Sequence, residues 1–335
     1  MGGQMYSHRS KEYLGLHYDT VERLQDFLET ENDIYLFSST GTGFMEASVL
    51  NCVREKMLVC VNGSFGKRFA DVGRAHGREV AVLEPPLGQP VTPGMLEEAL
   101  SEDPGVEAVA ITHNETSVGL INPLEKLAKV TKAHGKLLFV DAVSSMGGTE
   151  LKVDNWGIDI CFSSSQKCFG VPPGLGIGSV SREALEMSEE AVNKGWYFDL
   201  KIWERYHKQG RGTPMTSAIP QVAGMNAALR MIEERGGKGL YFDLYNRRNG
   251  KIRGSVERLS LSIFPDEGFE SPTVSCINAP GGVGGPAVYE AMRREGFELA
   301  QGYGVLKKKT FRIGNMGYMP EEDIDLMLDA LGKVL

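Results

Sequence analysis

Along this chain, short and nearly continuous apolar runs alternate with stretches where apolar residues recur every three to four positions. The runs at Asp33–Phe37, Met57–Val61, Val80–Leu83, Val106–Thr112, Leu137–Val140, Ile158–Phe162 and Gly176–Val180 read as strands. Between them, Phe44–Val53, Gly66–His76, Pro93–Leu100 and Pro123–His134 read as helices. The first carries Met45, Val49 and Val53 at helical spacing, and the last starts at a proline, where the missing N–H costs nothing. Fully apolar strands separated by helices predict a mostly parallel sheet covered on both faces, an α/β fold. In such sheets ligands gather beyond the carboxyl ends of the strands, so residues there are the first suspects for chemistry.

After Ser181 helices dominate, among them Ile219–Glu234 and Leu240–Leu259, punctuated by Gly236, Gly237 and Gly239. A strand at Thr273–Asn278, a Gly/Pro turn over 279–286, a helix to Glu295, a strand at Thr310–Ile313 and a helix from Glu321 complete a smaller α+β unit. The expected division is a large domain over 1–235 and a small one over 236–335. No internal repeat or low-complexity tract interrupts either.

Composition narrows the class. With 335 residues, 41% apolar and 24% charged, the chain has the balance of a globular protein and length for about two domains. A net charge of −8 with no long basic run argues against a nucleic-acid surface. No apolar stretch approaches the roughly 20 residues of a membrane span. Met1–Arg9 is polar and lacks a signal-peptide core, so a cytoplasmic location is expected. Five cysteines without C-x-x-C spacing argue against a disulfide framework or a structural metal site. The 41 glycines exceed the roughly 23 that an average usage near 7% would give, and they cluster. Tight turns explain such clusters, as does a backbone shaped around a ligand.

Four strand-end features carry candidate chemistry. Ser39-Thr40-Gly41-Thr42-Gly43 joins a strand to a helix, as an anion cradle or an ordinary capped turn. Asp141 ends a buried strand, as a helix cap or as the partner of a cationic ligand atom. Lys167, in Ser163-Ser164-Ser165-Gln166-Lys167, is a loop lysine or a chemically used one. Arg312 lies between Phe311 and Ile313, at a sheet surface or as a bidentate carboxylate ligand. Together, an anion cradle, a carboxylate, a lysine and a carboxylate-binding arginine are what pyridoxal phosphate chemistry requires.

Three motifs make the set specific: Val140-Asp141-Ala142-Val143-Ser144-Ser145-Met146-Gly147-Gly148, Ser163-Ser164-Ser165-Gln166-Lys167 and Pro172-Pro173-Gly174-Leu175-Gly176. In these the chain resembles the class V aminotransferases, nearest to the alanine–glyoxylate, serine–pyruvate and serine–glyoxylate group. The match runs from His8-Arg9-Ser10 nearly to the C-terminus. The resemblance implies the fold type I architecture of pyridoxal 5'-phosphate-dependent transferases, with a mostly parallel seven-stranded sheet and a homodimer that shares its active sites. It implies Lys167 as the Schiff-base lysine and proton shuttle, and Asp141 as partner of the pyridine nitrogen. Val143 would lie on one ring face and Phe65, within Val61-Asn62-Gly63-Ser64-Phe65-Gly66-Lys67-Arg68, would stack on the other. Many relatives carry tryptophan there, so weaker stacking is expected. Thr40, Gly41 and Thr42 would hold the phosphate with Gln166 beside them, and Thr216 would reach the phosphate of a neighbouring subunit. Thr116, within His113-Asn114-Glu115-Thr116-Ser117, would stand near the ring hydroxyl, and Arg312 would bind the substrate α-carboxylate. Members of the family usually carry a further segment, with a Gly-Pro turn lining the pocket, ahead of the His-Arg-Ser stretch with which this chain nearly begins.

The implied activity is transfer of the amino group of alanine or serine to glyoxylate or pyruvate by a ping-pong mechanism. The same fold also serves aspartate-using aminotransferases and lyases of the cysteine desulfurase type. The lyase needs a cysteine on a mobile loop, whereas Cys276 falls in an expected strand. A non-catalytic subunit of a larger complex is a third reading, opposed by the intact Asp141, Lys167 and Arg312 set.

Overall fold

The computed structural model describes residues 5–335. The elements of the first part are α1 (Lys11–Leu28), β1 (Asp33–Phe37), α2 (Gly41–Cys52), β2 (Lys56–Cys60), α3 (Ser64–Ala75), β3 (Glu79–Leu83), α4 (Pro93–Glu102) and β4 (Ala108–Thr112). There follow the short hairpin strands β5 (Asn114–Glu115) and β6 (Leu120–Ile121), then α5 (Leu124–Ala133), β7 (Leu137–Asp141), β8 (Ile160–Ser164) and β9 (Gly176–Val180). Helices α6 (Arg182–Glu190), α7 (Leu200–Lys208), α8 (Ile219–Glu234) and α9 (Gly237–Arg258) come next. The last part holds β10 (Val274–Asn278), α10 (Gly285–Arg294), β11 (Ala300–Gln301), β12 (Thr310–Gly314) and α11 (Glu321–Val334).

The main sheet has seven strands in the order β1-β9-β8-β7-β4-β2-β3. Strands β8, β7, β4, β2 and β3 pair in parallel, while β9 runs antiparallel to both β1 and β8. Six strands therefore point one way, and the carboxyl ends of β1, β2, β4, β7 and β8 lie along one edge. Alternation of side chains divides the core in two. Ile34, Leu58, Val109, Leu138 and Ile177 face α1, α4, α5, α8 and the start of α9. Phe37, Val59, Ala110, Phe139 and Phe162 face α2, α3, α6 and α7. A three-stranded antiparallel sheet, β10-β12-β11, packs with α10, α11 and the end of α9 around Ile252, Ile277, Phe311 and Leu331.

Three departures from the sequence pattern have physical causes. Helix α1 escapes the pattern because its buried stripe of Tyr13, His17, Thr20, Val21, Leu24 and Phe27 is diluted by polar residues. Ser10 starts that helix by accepting from Tyr13 N–H at 3.3 Å. Strand β8 sits two residues later than its apolar run, because Ser163 and Ser164 continue the ladder opposite Ile177 and Gly176. Helices α2 and α3 begin at Gly41 and Ser64, earlier than expected, because the turn residues themselves form the first helical turn.

Helix α9 joins the two parts. Tyr241 and Tyr245 belong to the core beneath the main sheet, whereas Ile252 and Val256 belong to that of the small sheet. The chain enters this helix through Gly236 at φ +101°, a left-handed turn that favours glycine.

Candidate active site

The edge formed by the strand ends collects most of the suspected residues. Asp141 is the last residue of β7 and is buried. Its Oδ1 accepts the Val143 N–H at 2.9 Å. Burial, with the charge of Glu115 adding to it, pushes its carboxyl up to about 7, against the pull of the Val143 N–H and of Arg68 and Lys167. Such a carboxyl ionises readily once a cationic partner arrives.

Lys167 lies three residues beyond β8 and is half-buried. Burial lowers the pKa of its ammonium, and Arg312 lowers it further, against Asp141 and Cys168. A lysine with its pKa lowered in this way is a better nucleophile and base near neutral pH. Its loop is pinned from behind: Tyr241 and Tyr245 donate to the Cys168 carbonyl at 2.7 and 2.8 Å. Tyr245 Oη also accepts the Gly317 N–H at 2.9 Å, which ties the lysine loop to the turn after β12. Gly170 and Gly317 pack backbone to backbone at that contact.

The turn after β1 leads into α2 with Thr40 as its N-cap, and the Thr40 side chain makes no capping bond. At such a helix start the first N–H groups, here those of Gly41 and Thr42, lack carbonyl partners and form a natural anion site. Gly41 is where the cradle meets β7: a methyl group there would collide with the Val143 side chain. Thr216 is exposed, and its carbonyl accepts from Ser38 Oγ at 3.4 Å, which sets it beside this turn. Gln166 is exposed next to Lys167.

Phe65 occupies the first turn of α3, half-buried, with its ring 6.0 Å from that of Tyr303 and with Arg68 4.9 Å above it. Thr116 shares a 2.5 Å hydrogen bond with Ser144, on the turn that follows Asp141. The Thr116 carbonyl accepts from Arg312 Nη1 at 2.8 Å, and the Gln301 carbonyl accepts from Arg312 Nε at 3.0 Å. The guanidinium lies 5.6 Å from the Tyr303 ring. Two of its five N–H groups are thus committed, which leaves three for a ligand, enough for bidentate carboxylate binding.

Asp141, Val143 and Gly41 thereby form one contact chain, and Thr116, Arg312, Tyr303 and Phe65 another, while Lys167 is near enough to Asp141 and Arg312 for their charges to act on it. His113 is a core residue, buried and pushed down to about 3 by burial, and Cys168 is buried with its thiol pushed up to about 12. Glu115, Ser144, Arg68 and Tyr303 stand in the site although sequence pattern gave them no role. Glu115 carries the same signal as Asp141, a carboxylate just past a fully apolar strand. Tyr303 carries none, because its place depends on the small sheet docking beside α3.

The family described as aminotransferase class-V matches residues 2–243. An uncharacterized aminotransferase of Methanocaldococcus jannaschii is 33% identical over 321 residues, 95% of this chain and 83% of that protein. The L-aspartate–glyoxylate aminotransferase of Paracoccus denitrificans is 31% identical, over 94% of this chain and 81% of its own. The crystal structure of alanine–glyoxylate aminotransferase from Nostoc sp. superposes with a TM-score of 0.93 at 30% identity, covering 99% of this chain and 89% of that one. With this architecture and these relatives, the chain belongs to the class V aminotransferases, transaminases of fold type I.

Proposed function

We propose that this aminotransferase uses pyridoxal 5'-phosphate to move the amino group of a small amino acid, alanine or serine, to glyoxylate or pyruvate. The observation that carries the proposal is the Lys167 amine. It makes no hydrogen bond or ion pair among the described residues, in a site that also holds a buried carboxyl at Asp141 and a half-free guanidinium at Arg312. The residues fit the cofactor. An uncapped helix start with Thr40, Gly41 and Thr42 suits its phosphate, with Gln166 and a neighbouring copy's Thr216 proposed to assist. Asp141, whose Oδ1 alone is engaged, suits a protonated ring nitrogen. Val143 and Phe65 suit the two ring faces, and Thr116 suits the ring hydroxyl.

When bound, the cofactor supplies an aldehyde carbon for the amino group and a protonated ring that withdraws electrons. The chain's own residues do the rest. Arg312 holds the α-carboxylate with its free N–H groups and so presents the α-carbon. Nζ of Lys167 takes the α-proton and returns it. Asp141, ionised beside a cationic nitrogen, keeps that nitrogen protonated. A homodimer with shared sites belongs to the same reading.

The choice of alanine or serine over other donors rests on likeness to the alanine–glyoxylate enzyme. Aspartate is the second donor to test, because the Paracoccus relative is an L-aspartate–glyoxylate aminotransferase. A lyase of the cysteine desulfurase type is disfavoured, since all five cysteines are buried and Cys276 lies within β10. The test is a pair of half-reactions followed by absorbance. A panel of amino acids should discharge the cofactor's visible band, and a panel of 2-oxo acids should restore it. Lys167→Ala should lose at least the roughly 10²–10⁴-fold that a positioned proton-transfer group contributes. Full activity in that variant would sink the proposal.

A further inference from the structure

Glu115 is a fully buried carboxylate to which the steps above give no task. Its two oxygens are divided between two structures. Oε2 accepts the N–H groups of Phe65 and Gly66, at 2.9 and 3.0 Å, in the first turn of α3. Oε1 accepts the N–H and the hydroxyl of Ser117, at 3.0 and 2.6 Å. Ser117 Oγ in turn accepts the Ser64 N–H at 2.9 Å. Three N–H groups at the start of α3 are therefore held by this one turn. The approach is close enough that a methyl group on Gly63 would collide with the Glu115 side chain.

The same turn reaches the other side of the site. Thr116, between the two residues, bonds Ser144 through its hydroxyl and Arg312 through its carbonyl. We infer that Glu115 is a positioning residue that fixes Phe65 and Arg312 in one frame and adds negative charge behind Asp141. Burial pushes the Glu115 carboxyl up from its ordinary value, while its four donors and the positive end of α3 pull the other way, toward the ionised form. The charge is felt at both Asp141 and Arg312. Ionised Glu115 thus favours a cation at the ring-nitrogen site beside Asp141, and it does so without touching substrate.

This inference rests on the cofactor reading above, and its test separates the two. Glu115→Gln keeps the shape but turns one acceptor into an NH₂ group facing two donors. The charged hydrogen bonds lost should raise the dissociation constant of pyridoxal 5'-phosphate for the cofactor-free protein by about tenfold or more. The pH midpoint of the bound cofactor's visible band, which follows the proton on its lysine-linked nitrogen, should move to lower pH, because the protonated cofactor loses a nearby anion. Glu115→Asp keeps the charge but shortens the reach. It should weaken binding while holding the midpoint nearer that of the unaltered protein. A lower melting temperature in Glu115→Gln with unchanged dissociation constant and midpoint would make Glu115 a helix cap only and overturn the inference. If that variant does not fold, Ser117→Ala serves. It removes the hydroxyl donor to Oε1 and the acceptor of the Ser64 N–H while keeping the residue-117 N–H, and should still weaken cofactor binding severalfold; an unchanged constant overturns the inference. Failure of the unaltered protein to bind the cofactor would overturn the proposed function itself.

Discussion

At the scale of single residues, two side chains give sharp expectations. Asp141 holds its proton in the folded, cofactor-free protein up to about pH 7, whereas a free carboxyl releases it near 3.8. Between those values the folded state binds more protons than the unfolded one, so stability falls as pH rises through the window and levels off above it. The span is on the order of 4 kcal/mol. Asp141→Asn should flatten this slope, which urea midpoints at about pH 5 and about pH 8 will reveal. Arg312→Lys keeps a charge but loses the planar fork. It should raise KM for the amino donor about tenfold or more while moving kcat less, a split read from steady-state rates. Asp141 and Arg312 stood out as candidates in the sequence because each ends or lies within an apolar strand, and Lys167 because it lies among small polar residues a few positions after one, places where a charge is costly unless used. Tyr303 did not, since nothing local marks a tyrosine that is placed by a second sheet.

At the scale of elements, the site depends on how turns are braced. The lysine loop hangs from the Cys168 carbonyl, which both Tyr241 and Tyr245 of α9 engage. Tyr245→Phe removes one of those donors and leaves the Gly317 N–H without its acceptor. The cost should be about 1–3 kcal/mol, seen as a lower melting temperature, and kcat should fall with it as Lys167 loses its fixed position. Gly41→Ala forces a methyl group against Val143 at the start of α2. It should weaken cofactor binding more than it weakens the fold, a comparison of dissociation constant against thermal midpoint. The seven strands of the main sheet and the helices between them could be read from apolar spacing, whereas α1 and the two-residue strands could not. Nor could the exact starts of α2, α3 and β8, because glycines and serines there take up regular hydrogen bonds that hydrophobicity does not register.

At the scale of the whole molecule, the sequence carried the three-layer α/β core but not its strand directions. Apolar runs have the same spacing whichever way they point, so β9 looks like any parallel strand until it is found antiparallel to β1 and β8. The change in pattern after Ser181 led to an expected division at 235/236, but the dual allegiance of α9, which starts there, was not legible. That allegiance bears on how the chain comes apart. All three tryptophans, Trp156, Trp196 and Trp203, lie in the part carrying the main sheet, so their fluorescence reports on that part alone. If α9 couples the two cores, the fluorescence transition should coincide with the circular dichroism and calorimetric transitions of the cofactor-free chain.

It also bears on where the chain can be cut and rejoined. A junction at Gly236 looks natural from its left-handed turn, yet it separates the lysine loop from the two tyrosines that hold it. A chimera that borrows the C-terminal part of another chain keeps its lysine loop only if Tyr241 and Tyr245 travel with the N-terminal part, and the donor must still offer a backbone N–H where Gly317 now bonds Tyr245. The seam that recombination can use therefore lies inside a helix, past its second turn, rather than at the loop that precedes it.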